Sequence, residues 1–448
     1  MSHSCAWICH RVSLLLVVLS VLAGAASAAA QEFEPVAAKV VEAGTTGDFN
    51  QFRQILASPS VNTPEPFQGF GGWCGWPDVC RLQNGDLFVV YSAGYWHASW
   101  PTPLDQPPEM LEQWKRSGVG WIVEWDCPTG GKMVWIRSRD NGKTWTRPKA
   151  FPIVPGCYYI SDVLQLRDGT MLAAAVKHSS YGWWERMPAT PMEFAKVAAR
   201  RFPAPNVIFR SDDNGDSWRE IGRISDFPWV DAIYSMSECP DGSVLAPYSV
   251  CPLPGAGRSI WVCVLARSED QGKTWATLSV LGSNEFDSHE ALGGYLPDGS
   301  IGLAMRPRST WYRSLDHGRT WSEPQPLHPG SGHLLSRGSL SVTPDGVAVL
   351  AYCGGPGGSG RVIYSRDSGN TWMKTTGDLG FQFDPFAYYP DTCVLDDGTI
   401  FAVGSHEGLG QNQYGPAGAE VTAMRFRIKT LAEGEGIELL PIGGPPIK

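Results

Sequence analysis

SRDSGNTW, residues 365 to 372, sets Ser, Asp, Gly and Trp at fixed offsets, and the chain writes this pattern five times. The other copies are SRDNGKTW (138 to 145), SDDNGDSW (211 to 218), SEDQGKTW (268 to 275) and SLDHGRTW (314 to 321), all of the form SxDxGx[TS]W. One copy specifies only a tight turn, its Asp accepting backbone N–H groups and its Gly taking a positive φ. Five copies predict one supersecondary unit repeated along the chain.

A second repeat lies upstream of each box: an apolar run, an Asp-Gly or Asn-Gly turn, then a second apolar run. It occurs six times, in DVCRLQNGDLFVVY (from Asp78), SDVLQLRDGTMLAAAV (from Ser161), YSMSECPDGSVLAPY (from Tyr234), EALGGYLPDGSIGLAM (from Glu290), GSLSVTPDGVAVLAY (from Gly338) and YYPDTCVLDDGTIFAV (from Tyr388). Such a turn between apolar runs is a strong hairpin signal. Each of the first five hairpins precedes a box, and the sixth ends in AEVTAMRFRI, residues 419 to 428. Six units of about four strands predict an all-β, six-bladed propeller with five box turns, since radial repetition protects sheet edges. Ring closure then needs residues 36 to 58 to supply the outer strand of the last unit. Helical periodicity is weak except in PMEFAKVAARRF, from Pro191.

The chain has 448 residues, 43% hydrophobic and 18% charged, which predicts a globular body with a substantial core. A formal charge of −9 argues against a nucleic-acid surface. Arg11, the run VSLLLVVLSVLAG and the small residues AASAAA have the pattern of a secretory signal, so residues 1–30 are set apart and 31–448 are read as one propeller domain. The expected location is secreted or periplasmic, with no membrane attachment after cleavage. Nine of the 11 cysteines would remain, an odd number that leaves at least one thiol unpaired.

The boxes resemble the Asp-boxes, or BNR repeats, of the sialidase (neuraminidase) superfamily, and the resemblance covers roughly residues 70 to 428. It implies a six-bladed propeller with the boxes at its periphery, away from catalysis. It also implies a secreted glycoside hydrolase acting on the terminal sugar of a glycan, acidic sugars included, without metal or cofactor. Glu290, eight residues before Asp298, and Arg306, eight after it, are similar to the family's Glu and Arg at the ends of paired strands. Tyr389 stands eight residues before Asp397, in a segment similar to the one carrying the family's catalytic tyrosine. Asp126, twelve residues before Ser138, is the candidate acid, with Asp105 as substitute. Arg361 and Arg337 are candidates for further substrate-binding arginines, and Pro247-Tyr248 also looks like the family's third blade.

These residue types suit one chemistry. A phenol, with a pKa near about 10, needs an adjacent base to attack an anomeric carbon, and sialidases use such a tyrosine. Glu290 would take its proton, Asp126 would protonate the leaving oxygen, and arginines would hold a substrate carboxylate. A neutral phenol also avoids repelling an anionic sugar. The chain departs from the family at GWP, where Gly75 stands at the position of the first carboxylate-binding arginine.

Other readings stay open from the sequence alone. Glu290 and Arg306 would also serve as a structural ion pair, and Tyr388 competes with Tyr389 for the axis. Asp78, Glu238 and Asp391 offer an alternative acid/base pair. His97, His178, His289 and His406 lack metal-site spacing. A carbohydrate-binding propeller without catalysis and a polysaccharide lyase acting on uronate glycans are the alternatives to a hydrolase.

Overall fold

The computed structural model describes residues 39–40, 52–64, 73–94, 132–152, 157–177, 206–224, 230–250, 262–281, 289–306, 309–327, 336–354, 359–375, 377–385, 387–407 and 419–442. Among them there is no α-helix, only a short 3-10 turn at Leu431–Glu433. Five of the hairpins pair as antiparallel strands: Trp73–Arg81 with Leu87–Gly94, Cys157–Gln165 with Met171–Lys177, His289–Tyr295 with Ile301–Arg306, Ser336–Val342 with Ala348–Gly354, and Ala387–Val394 with Ile400–Glu407. In the remaining one the inner edge is split into Val230–Ile233 and Ser237–Glu238, both on Val244–Val250. The signal segment, Asp126, Asp105, His97, His178 and PMEFAKVAARRF lie outside the described residues.

The sequence predicts six separate sheets, whereas the described strands hydrogen-bond into five, of four, four, five, six and nine strands. The nine-stranded sheet arises because Ala419, opening the strand Ala419–Ile428, pairs in parallel with Trp73 at the start of the first inner strand. The arrangement is that of a β-propeller. Buried apolar clusters lie between successive sheets, such as Phe88 and Trp135 against Val163 and Phe209. The cluster holding Cys74, Val89, Phe401 and Val421 joins the end of the chain to its beginning. Gln54–Ala57 lies antiparallel on Ala419–Ile428, as expected of the segment 36 to 58. The same strand also carries Ile437–Leu440, which the sequence reading did not foresee.

The boxes owe their composition to two demands. The first is local. In the first box Ser138 Oγ donates to Asp140 Oδ1 at 2.8 Å and accepts the Gly142 N–H at 2.8 Å, while the two Asp140 oxygens accept the Thr144 N–H at 2.9 Å and its hydroxyl at 2.6 Å. The same bonds recur around Asp213, Asp270, Asp316 and Asp367. At Asp213 burial opposes the charge, but bonds from Ser217 and Ser211 outweigh it and hold the carboxyl at about 2.

The second demand is contact with the preceding sheet. Gly215, at φ +86, leaves no room for a Cβ, which would lie 2.7 Å from Phe88. Gly272, Gly318 and Gly369 press in the same way on Ile208, Leu265 and Trp311, and Gly142 presses on Phe401 of the last hairpin. Each box therefore locks its own turn and seats it on the neighbouring sheet. Arginines ahead of the box serine reinforce this: Arg210 donates to Thr170 of its own hairpin at 3.1 Å and to Gln271 of the next box at 2.7 Å. Arg313 similarly holds Asp298 and Asn370.

Around the axis, carboxylates bind the sheets together. Asp391 accepts the Val79 N–H at 2.7 Å, Asp78 accepts that of Val163 at 2.6 Å, and Asp162 accepts that of Met236 at 2.6 Å. Glu238 is occupied by Arg167, accepting its N–H at 2.7 Å. Asp78, Asp391 and Glu238, the alternative acid/base carboxylates read from sequence, thus each accept a main-chain N–H of a neighbouring sheet.

Gly215→Ala should cost roughly 2–4 kcal/mol, combining a left-handed alanine with overpacking against Phe88. Gly169→Ala, at φ +90 with nothing within 4 Å, should cost only about 1 kcal/mol. Urea titration of both variants checks the difference, and equal losses would mean that the contact with Phe88 contributes nothing.

Candidate active site

The inner strands are all bulged. Their pairing shifts between Gly75 and Asp78, Ile160 and Asp162, Val230 and Ile233, His289 and Leu292, Ser336 and Gly338, and Tyr388 and Asp391. A bulge opposes two residues to one and re-aims a side chain. At three of them a non-glycine residue takes the left-handed backbone: Trp76 at φ 55, Glu290 at φ 47 and Tyr389 at φ 49. Each costs about 1–2 kcal/mol relative to an ordinary strand residue. Strained residues at matching places in one ring are a reason to look there for function.

Arg306 brings the group together. Its Nη1 lies 2.9 Å from Glu290 Oε1, across the direct pairing of His289 with Arg306. Glu290 is 5% exposed, and its carboxylate is paired with this guanidinium. The guanidinium is held well above the usual arginine range, chiefly by the Glu290 carboxylate, against the effect of burial, with Tyr389 and Tyr234 adding to it. Glu290 is thus paired with this cation, and the Tyr389 phenol lies near enough to act on it electrostatically. Tyr234 was not foreseen. Its hairpin signal was read from the same residue, but the left-handed offset of the repeat falls one place earlier, at Ile233.

Arg361 donates to the carbonyls of Gly354 and Gly380 at 3.3 and 3.2 Å and to Ser359 Oγ at 3.1 Å, so it ties together main chain of its own sheet. Arg337 lies in the strand Ser336–Val342, at its bulge. Asp126 lies outside the described residues. Tyr248 is core, packed among Ile233, Val250 and Val264. No cluster suited to a metal ion occurs among the described residues.

Trp73 covers Gly75. A Cβ there would lie 2.6 and 2.8 Å from its indole and 3.1 Å from Ser405 Oγ. The Trp73 and Trp76 rings meet edge to face at 4.5 Å, and Trp76 meets Tyr159 at 5.2 Å. Ser405 Oγ accepts the Trp76 N–H at 2.6 Å, holding the bulge. Next to this wall, His406 Nδ1 stands 3.7 Å from Glu420 Oε2, and Arg53 pairs with Asp384 at 3.2 Å. Burial, then Arg53, pushes the imidazole down to about 4, and burial raises the Glu420 carboxyl.

No family model matches the chain, and no curated protein does. Solved structures do resemble it. A protein of unknown function from Dyadobacter fermentans superposes with a TM-score of 0.55 at 18% identity, covering 87% of this chain and 98% of that one. An α-L-arabinanase of Penicillium chrysogenum, complexed with arabinobiose, gives 0.53 at 15% identity over 83% and 97%. A Hadza microbial sialidase gives 0.50 at 17% identity over 79% and 65%. At these identities the likeness is one of fold.

His406 provides a check on the electrostatics. Its folded value of about 4 lies below the ordinary 6.5, so the unfolded chain binds more protons between these values and stability falls as pH drops from 6.5 to 4. Glu420 acts in the opposite sense, its contribution being present below 4.5 and lost as pH rises through its raised value. His406→Gln should therefore lose less stability than the wild type on acidification from pH 6.5 to 4, read from urea midpoints. A steeper loss would contradict the buried neutral imidazole.

Proposed function

We propose that the chain is an exported, six-bladed, sialidase-like propeller that hydrolyses the terminal glycosidic bond of a glycan, with Tyr389 as nucleophile and Glu290 as its base. The observation that carries this reading is that Glu290, paired with Arg306, and Tyr389 both stand on left-handed bulges in the same register of the repeat. A purely structural ion pair needs neither the strain nor the tyrosine. The six-bladed count is supported by six inner edges, each beginning a hairpin, that follow one another around the axis.

In this mechanism Tyr389 Oη attacks the anomeric carbon as its proton passes to Glu290, and an acid protonates the departing oxygen. Water then attacks the anomeric carbon, giving its proton to the carboxylate left on the acid, and the glycosyl–tyrosine bond breaks as Glu290 returns its proton to the phenol. Arg306 orients the Glu290 carboxylate. Asp126 is the acid that the sequence supplies.

A second reading, a hydrolase of neutral sugars such as arabinosides, is favoured by Trp73 filling the space beside Gly75. A propeller that binds glycans without cleaving them would show sugar affinity and no turnover. Tyr389→Phe should lower turnover by orders of magnitude with little change in stability, because it keeps the ring and removes only the attacking oxygen. Glu290→Gln should lose a similar factor, and the double variant no more than either, since the pair acts as one unit. The assay is release of the aryl group from a panel of aryl sialosides, uronides and neutral glycosides. Near-normal turnover by Tyr389→Phe would end the tyrosine mechanism.

A further inference from the structure

We infer that Cys353 is a positioning residue for the tyrosine: its buried thiol accepts the main-chain N–H of Tyr389 from the neighbouring sheet and holds the left-handed bulge that presents the phenol. This deepens the hydrolase reading, on which it rests for what the phenol does.

Three inner strands carry a non-glycine residue in the left-handed region: Trp76 at φ 55, Glu290 at φ 47 and Tyr389 at φ 49. A bulge turns a main-chain N–H out of its own ladder, and inside the protein that N–H needs a partner. For two of the three the partner is a serine on the second strand of the preceding sheet. Ser405 Oγ accepts the Trp76 N–H at 2.6 Å, and Ser249 Oγ accepts the Glu290 N–H at 3.1 Å. Both serines are fully buried. Each stands eight residues beyond the Asp of its own hairpin turn, Asp397 for Ser405 and Asp241 for Ser249. For Tyr389 the preceding sheet is the one with its turn at Asp345, and the residue eight places beyond is Cys353.

Place and orientation both suit Cys353 to this task. It pairs directly with Ser336, as Ser405 does with Tyr388, and it is 5% exposed. Val349 and Ala351 alternate with it along one face of the strand Ala348–Gly354, and both pack in one apolar cluster with Ala387, which opens the tyrosine's strand. That face is therefore turned to the tyrosine's sheet. Sulphur is larger than a hydroxyl oxygen and a weaker acceptor. It reaches the N–H at longer range and holds it with less force, so the bulge of the proposed nucleophile is tied more softly than that of the proposed base. A change of one atom, oxygen to sulphur, separates the two holders. Loss of the acceptor would leave a buried N–H without a partner and let the bulge relax. The resulting shift of the phenol acts on the reacting atom, so it lowers turnover more than substrate binding.

The test compares Cys353→Ala and Cys353→Ser with the wild type, reading hydrogen–deuterium exchange at single amides and measuring aryl glycoside turnover in parallel. Cys353→Ala should speed exchange of the Tyr389 amide by about tenfold or more, while the Glu290 and Trp76 amides, held by serines, keep their wild-type rates. It should lower kcat by about tenfold with KM changed by less than about twofold. Cys353→Ser restores an acceptor and should return both readouts to the wild-type range. An unchanged Tyr389 amide in Cys353→Ala would overturn the inference, and so would faster exchange with unchanged kcat. Equal losses in the two variants would overturn it too, since packing rather than the bond to the N–H would then be at work. Slower turnover without faster exchange would overturn it and leave the hydrolase standing. The expected exchange pattern in a protein that cleaves no glycoside would support the bond and end the hydrolase reading.

Discussion

The structure depends on how one sheet is joined to the next. Sheets lying face to face bury apolar area, but that attraction has no direction and does not set the angle between them. Direction comes from two sets of contacts. At the rim, the glycine of each box seats a rigid turn on the preceding sheet, as Gly215 does on Phe88 and Gly142 on Phe401. At the axis, Asp391, Asp78 and Asp162 each accept an N–H of the next sheet. The five boxes are therefore inter-sheet joints as much as turns.

These joints let the axis tolerate strain. With both ends of each sheet held, the inner strands carry bulges, and three bulges hold Trp76, Glu290 and Tyr389 in a backbone conformation that a free strand would abandon. The register of the repeat brings them to corresponding places, and Arg306 pairs with Glu290. In the proposed mechanism the same ring position carries the base in one sheet and the nucleophile in another.

Much of this was legible in the sequence, and the division has physical causes. Hairpins and boxes were readable because Asp-Gly turns and the Ser-Asp-Gly bonding are local, within a few residues. The places of Glu290, Arg306 and Tyr389 at the ends of their hairpins were readable because the repeat supplies a ruler from each turn. Joints between sheets were not: Asp78 looked like a candidate catalytic carboxylate because its partner, Val163, is 85 residues away. The pairing of Ala419 with Trp73, which fuses two of the expected sheets, was hidden for the same reason. Gly75 could be read as a missing arginine, but not that Trp73 had taken its space, since this depends on where an indole two residues earlier folds back. Tyr234, which also acts electrostatically on Arg306, stands one place beyond the repeat's offset, where its hairpin's inner edge breaks after Ile233.

The central claim, that the phenol at the Tyr389 bulge attacks sugar, is most directly tested by trapping. The protein would be incubated with a fluorinated, activated form of whichever aryl glycoside it cleaves, quenched, digested and mapped by mass spectrometry. The account predicts one added glycosyl mass on the peptide containing Tyr389, absent from Tyr389→Phe. A label on Glu290, or continued turnover with no label on the tyrosine, would contradict it.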